Sequence, residues 1–466
     1  MLNTMKAKID KILKNCEQLF SVCSQNIEDN QSWHNFVEID GILNRIMELE
    51  KAEVIEIDRY DSLKDLTEWV KHEGACIDNV SIAFFPNYGY GLQANNDMNE
   101  NDLILQIPRK LIFNVHTAAP ELEIIKSDII LKQMPNIALA LALLFERCKN
   151  SSKWNFYIKS LPRSYSTVLY MKPQDLEILK GCPSLDGAIK QIRNVARQYA
   201  YFKMILHKTK NDSLTKLKKS FTYENFRWAV STVMTRQNMI PVKNEDKMIL
   251  SLIPFWDMCN HEEGRITTNF DLSTNSCECF AMRHFKKSDQ IFIHYGSRTS
   301  TEFFIHSGFL PENNHNDSFR LRLGISHLDP LKEQRIYLLN KLGLPINHEY
   351  TLRPGNEVIS GSLLAFLRIF HFSKSELIKW MNSENFCMLT ESSCDISNDI
   401  HCKAMSYIKV RLELLMQRYK SINEETILNE IQDMPLTRQL VWKMKLSEKN
   451  IMKNILSDIP ISKDNN

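Results

Sequence analysis

Glycine is scarce in this chain: 13 of 466 residues, roughly 3% where ~7% is usual. All-β folds use glycine for left-handed turns, so an architecture made mainly of hairpins is excluded and a helix-rich one is expected. Charge of one sign is also lacking. The 58 Lys and Arg face 56 Asp and Glu, a net of +2, which gives no long-range field for nucleic acid or an anionic membrane. No apolar run is long. The longest, 137–145, falls far short of the roughly 20 residues that cross a bilayer and is closed by Glu146 and Arg147, so it reads as a buried helix. Paired-cysteine frameworks are absent as well: eleven cysteines, an odd number, are scattered among nineteen methionines, unlike small secreted domains. A reducing compartment is expected, the cytoplasm first, with the nucleus left open. A content of 43% hydrophobic and 24% charged residues excludes the disordered and fibrous classes.

What is present falls into blocks. Residues 1–55 read as an N-terminal helical extension. Leu2, Met5, Ile9, Ile12, Leu13, Cys16 and Phe20 lie near one face of a first helix, and Phe36, Ile39, Ile42, Leu43, Ile46 and Met47 repeat on a second. Asp10 and Glu17 sit in the first helix, which therefore lacks the unbroken apolar run of a secretion signal. From about 80 to 115 the period changes to two in short pieces, VSIAFF, GYGLQA, DLILQIP and LIFNV, separated by Pro, Asn and Gly, as in short strands. Helical spacing returns over about 116–235, where Thr222 can N-cap a helix with Glu224 in its first turn. Strand patterns resume in MILSLIPF, RITTNFDL, CECFAMR and QIFIHYG. The expected fold class is α+β: a β-core over 56–312 interrupted by that helical insertion, then an all-helical domain over 313–466 with one strand-like piece, FRLRLG.

Chemistry concentrates in one polar cluster: Arg236-Gln237-Asn238 ending a helix, Trp256-Asp257-Met258-Cys259-Asn260-His261 after a strand, and Tyr295-Gly296 ending another. A lone Asn-His pair carries no weight. Its order does: a Gly89-Tyr90-Gly91 turn, a helical insertion, D-x-x-N-H, then a strand ending in Tyr-Gly. With the strings NIALALALLFER, VARQYAYF, SFTYENFRWAVSTVMTRQN, LIPFWDMCNHEEGRITT, CECFA, QIFIHYGSRT and EFFIHSGF, this order resembles the SET-domain protein methyltransferases of the Rubisco-methyltransferase subclass. Within that subclass it is similar to the members that methylate a histidine of actin. The resemblance runs from about residue 56 to about 455, is strong over 190–310 and thins in the C-terminal domain.

The resemblance implies in-line methyl transfer from S-adenosylmethionine to a protein side chain, without a metal. Residue by residue, the cofactor shell it implies is Arg59, the turn Tyr88-Gly89-Tyr90, Arg236, the run Asp257, Met258, Cys259, Asn260 and His261, and Ser307, Gly308 and Phe309. Tyr295 is placed beside the methyl-transfer channel, and Asn238 as hydrogen-bond partner for the acceptor ring. Further substrate contacts carried over are Asn136, Arg197, Gln198, Trp256, Ile293 and Arg298. Tyr88 stands where an acidic residue is expected and Gln93 where arginine is usual, which affects side-chain contacts at the turn rather than the turn itself. The chain is expected to act as a monomer on actin, with no nucleic-acid or membrane partner.

Acceptor chemistry distinguishes histidine from lysine. A lysine with pKa about 10.4 costs roughly 4 kcal/mol to present as a neutral amine at neutral pH, whereas imidazole at about 6.5 is mostly neutral already. Imidazole has two nitrogens, so the site must hold one tautomer, and Asn238 with the flat wall of Trp256 suits that task. Two alternatives stay open on the residues alone: a lysine methyltransferase of the same subclass, and a scaffold with an inactive core. A zinc site drawn from Cys259, His261, Cys277 and Cys279 is rejected, because structural zinc pairs usually have two to four intervening residues.

Overall fold

Apolar residues at helical spacing fold the N-terminus into α1 (Leu2–Ser24) and α2 (Ser32–Glu50), which pack through the buried Cys16, Leu19, Cys23, Phe36, Ile39, Ile42, Leu43 and Ile46. Each large aliphatic side chain buried this way contributes about 1.5–3 kcal/mol. The structure, a computed structural model, describes residues 2–27, 31–51, 59–119, 122, 128–210, 214–243, 245–355, 358, 359, 361–419 and 424–459. The expected boundary between extension and core, at 55/56, lies outside the described residues. α2 ends on an anchor. The Glu50 carboxylate accepts from Tyr199 Oη at 2.5 Å, Lys203 Nζ at 2.7 Å and the Tyr223 N–H at 2.8 Å.

Tyr199 and Lys203 are four apart and therefore share one face of a long helix. The longer helices that follow are α3 (Arg59–His72), α4 (Pro135–Arg147), α5 (Pro183–Lys208) and α6 (Tyr223–Arg236). Pro135 opens α4 at the position where a missing N–H costs nothing, and its residues 137–146 are buried throughout, as its unbroken apolar run requires. The strands before this block are β1 (Val80–Phe85), β2 (Gly89–Ala94) and β3 (Leu103–Pro108). Those after it are β4 (Gln237–Pro241), β5 (Met248–Leu252), β6 (Asn260–His261), β7 (Thr268–Asp271), β8 (Ser276–Phe280) and β9 (Gln290–Ile293). They form sheets in the orders β1-β2-β9-β6, β3-β8-β7 and β4-β5, so strands from both sides of the helical block pair with each other.

Two local expectations change. LIFNV is no strand: Phe113 makes a single bridge to Leu252, because a 3-10 turn at Arg109–Leu111 precedes it and Asn114 caps a helical turn by accepting from His116 and Thr117 N–H. Asn238, expected at a helix end, lies on β4. α6 stops at Arg236 because Gln237 is extended at ψ 144°, and Asn238 pairs with Ser251 across the β4–β5 hairpin.

The chain divides into two compact units, one of Met1–Glu177 with Asp186–Asn313, the other of Ile178–Leu185 with Asn314–Asn466. The second holds β10 (Phe319–Gly324), α7 (Lys332–Lys341), β11 (Asn347–Leu352), α8 (Gly361–His371), α9 (Asn398–Met416) and α10 (Leu436–Asp458). The expected strand-like piece FRLRLG is β10, and its antiparallel partner β11 is an addition to the helices expected there. NHEYTL alternates only at Tyr350 and Leu352, which are buried, too short a pattern to stand out in sequence. Ile178–Leu185 joins this unit through backbone bonds: Lys445 Nζ to Ile178 O at 2.6 Å, Arg418 Nη1 to Gly181 O at 2.9 Å, and Ser184 N–H to Glu448 Oε1 at 2.9 Å.

Candidate active site

The short parallel pairing of β6 with β9 sets the site, in the first unit. Asn260 lies opposite Phe292 and His261 opposite Ile293, so Tyr295 emerges two residues past the pairing. His261 Nδ1 accepts from the Tyr295 N–H at 3.2 Å and lies 3.3 Å from Ile293 O. Its ring stacks on Phe303 at 4.8 Å between centroids. Burial holds this imidazole below its ordinary pKa, which keeps it neutral. The Tyr295 Oη donates to Cys259 O at 2.6 Å, and burial pushes its ionisation well above the usual tyrosine value. Gly91 makes room for the cluster: a Cβ there would stand 2.8 Å from Asn260 Nδ2 and 3.0 Å from Gln290 Nε2.

Charge enters as one buried pair. Arg236 Nη1 lies 3.1 Å from Asp257 Oδ1 and donates to Asp257 O at 2.8 Å, and Tyr157 Oη donates to Asp257 Oδ2 at 2.6 Å. Burial alone disfavours both charges, raising Asp257, while Arg236 and Tyr157 pull that carboxyl back down. For Arg236 burial is outweighed by Asp257 and by Tyr165 and Tyr157, so its pKa is raised. Arg59 stands behind the pair, donating to Ser160 O at 2.8 Å with its guanidinium 5.2 Å from the centre of the Tyr90 ring. Burial, with Arg236 adding, brings it down to about 10.

A cavity of about 170 Å³ opens beside this cluster, and Arg236, Asn238, Trp256, Asp257, Cys259, Ile293, Tyr295 and Arg298 line it. Trp256 Nε1 donates to Thr268 Oγ1 at 3.0 Å, which fixes the plane of the indole. Asn238 Oδ1 accepts from the Met239 N–H at 2.8 Å, so the orientation of its amide is set. Behind the wall are Asn260 and His261 on β6 and Met258, buried in the 3-10 turn Trp256–Met258. Gly89 takes φ 75° at the turn, while Tyr88 is half exposed against Phe292. Ser307 ends a π-turn that Gly308 closes at φ 75°, and Phe309 meets Tyr295 edge to face at 6.2 Å. Asn136, Arg197 and Gln198 lie outside the lining of this cavity. Gln198 Nε2 contacts Met134 Sδ at 3.6 Å, and Arg197 is near enough to Cys23 to lower its thiol pKa, against the larger effect of burial.

Several buried polar atoms here have no hydrogen-bond partner: Arg236 Nε, Gln237 Oε1, Asn260 Nδ2, Gln290 Nε2 and Ser307 Oγ. Leaving such a group unpaired costs about 1–3 kcal/mol, so donors and acceptors together mark a place built for a polar ligand. Gln237, Gln290 and Thr268 escaped the sequence reading as site residues. Gln237 had a signal, its place between Arg236 and Asn238, but Tyr157 had none, a hundred positions from its partner Asp257.

Residues 89–296 match the SET domain family and residues 326–452 the Rubisco LSMT substrate-binding family. The actin-histidine N-methyltransferase of Callithrix jacchus is 35% identical over 97% of this chain and 78% of its own length. The chain belongs to this family of SET-domain methyltransferases. The actin-histidine N-methyltransferases of Plecturocebus moloch, 36% identical over 95% of this chain and 76% of its own length, and of Homo sapiens, 34% over 97% and 78%, are similarly close. The fold is that of Rubisco LSMT bound to AdoMet, with a TM-score of 0.65 at 19% identity over 85% of this chain and 91% of that one. The SET domain of LSMT bound to lysine and AdoHcy gives 0.67 at 20% over 85% and 90%. Family membership and the β6–β9 pairing thus converge on the same unit.

Proposed function

We propose that this chain transfers a methyl group from S-adenosylmethionine to the distal ring nitrogen of a histidine in actin. The observation that carries the reading is Asn238 beside Trp256 on the wall of the cavity that Tyr295 also lines. The unpaired atoms fit the cofactor, which brings a carboxylate, an ammonium and the donors and acceptors of adenine. Arg59, Tyr88, Gly89, Tyr90, Arg236, Asp257, Met258, Cys259, Asn260, His261, Ser307, Gly308 and Phe309 would hold it. When bound, it supplies an electrophilic methyl on a positively charged sulfur.

The chain's own residues do the rest. Asn238 Oδ1 has a second lone pair beyond the one given to Met239. It can accept the N–H of the proximal ring nitrogen and so fix the tautomer whose distal nitrogen is free to attack. Trp256 gives the imidazole a flat face to lie against. Tyr295 has committed its hydrogen to Cys259 O, so its oxygen offers lone pairs where positive charge moves from sulfur to ring. Holding two reactants in line in this way can supply several kcal/mol. Asn136, Arg197, Gln198, Ile293 and Arg298 complete the substrate set by resemblance, on actin flanking the acceptor. All eleven cysteines are free thiols, which supports a reducing, cytoplasmic setting. No helix among the described residues is long and apolar enough to cross a membrane.

An acceptor exchange tests the reading. An actin peptide carrying the histidine should be methylated, and the same peptide with lysine there should not. Asn238→Phe should lose the histidine reaction and gain on lysine. Preference of the unaltered enzyme for lysine would refute it.

A further inference from the structure

Three side chains meet at the end of the β6–β9 pairing: His261, which the resemblance places in the cofactor shell, Glu263, and His294, which lines the cavity. His261, Glu263 and His294 each offer one ligand-type atom, and these atoms lie within 4.8 Å of one another. Topology puts them there. His261 and Glu263 are two apart at the end of β6, and His294 follows Ile293, the parallel partner of His261. His261 is 8% exposed, and its Nε2 is buried with no hydrogen-bond partner, as is Nδ1 of His294. The two rings stand 5.5 Å apart between centroids at 43°, tilted rather than stacked.

Two imidazole nitrogens without hydrogen-bond partners, next to a carboxylate, offer three donors to a shared electrophile once the His261 ring is in its Nδ1–H tautomer. Two imidazoles and one carboxylate are the donor set of zinc-class sites that keep a fourth position open, and this mix selects against the all-oxygen preference of calcium or magnesium. A metal-bound imidazole usually donates its other N–H to a carbonyl or carboxylate. Here the Ile293 carbonyl, 3.3 Å from His261 Nδ1, stands ready for that. In the metal-free ring Nδ1 accepts from Tyr295 N–H and the proton sits on Nε2. Binding through Nε2 moves that proton to Nδ1, which then donates to Ile293 O while the Tyr295 N–H gives up its bond to the ring, and no proton is released. We propose that His261, Glu263 and His294 form a site for a divalent zinc-class ion, with its fourth position open to water.

Cobalt(II) reads the site directly in the full-length, chelator-treated protein. One cobalt per chain is expected, with the visible d–d bands of a four-coordinate centre, no sulfur-to-cobalt charge-transfer band, and displacement by zinc. His294→Ala and Glu263→Ala should each weaken uptake by more than about 100-fold, since losing an outer-shell partner alone costs 10–100-fold. Both variants should keep the circular dichroism of the parent. His294→Cys should restore uptake and introduce the sulfur band. Absence of stoichiometric uptake, a sulfur band in the parent, or uptake that survives His294→Ala would each overturn the proposal.

Discussion

Asp257 in the first unit and Glu448 in the second are both buried carboxyl side chains, 8% and 3% exposed as residues, yet their surroundings differ. Asp257 has a cation, Arg236, at 3.1 Å, and the pair retains an unsatisfied atom, Arg236 Nε, beside a cavity. Glu448 accepts from the Ser184 N–H at 2.9 Å and from Tyr419 Oη at 3.4 Å. Burial pushes its carboxyl up to about 7, against the pull of Ser184, Cys182 and Tyr419. A buried ion pair is poor at stabilising a fold, because desolvation offsets its Coulombic gain. Unfinished bonding at the Arg236–Asp257 pair therefore belongs with ligand binding, and the closed set of bonds at Glu448 with holding Ile178–Leu185 in its unit.

The largest expected effect tests the first half of that contrast. Arg236→Met strands the Asp257 charge and should cost about 3–5 kcal/mol in urea denaturation, with S-adenosylmethionine binding abolished in calorimetry. The double variant Arg236→Met/Asp257→Leu should recover most of the stability and none of the binding. Recovered binding would make the pair structural and erase the contrast. Glu448→Gln tests the second half. The folded carboxyl titrates at about 7 and an unfolded one near 4.5, so the folded chain holds an extra proton between those values. The contribution of Glu448 to stability should be fully present below about 4.5 and be lost, by about 3 kcal/mol, as pH rises through 7; Glu448→Gln should remove that slope. Asn238→Ala should lower kcat/KM for the histidine peptide by about 10–100-fold, the worth of one hydrogen bond in a dry site, with cofactor affinity unchanged. The smallest effect is in the pH profile. Turnover should fall about tenfold per unit below pH 6.5 as the acceptor ring protonates, with no alkaline loss from Tyr295 up to about pH 10, because burial raises its ionisation.

Strands and helices with a clear period were legible in the sequence, including β1, β2, β8 and β9. Short elements were not: β4 follows α6 without a break, so Asn238 looked helical until Gln237 proved extended. Asn260, His261 and Tyr295 were legible because their order and spacing are local. Tyr157 on Asp257 and Gly91 beneath Asn260 were not, because both depend on which distant elements pack together. The same holds for His261, Glu263 and His294, which parallel pairing brings together across some thirty residues of chain.

The measurement closest to the centre of this account is fragmentation mass spectrometry of actin after incubation with the purified enzyme and S-adenosylmethionine. The methyl group should appear on the distal nitrogen of a histidine ring, and Asn238→Ala should diminish it. Unmodified actin, or a methyl group on a lysine amine, would contradict the account.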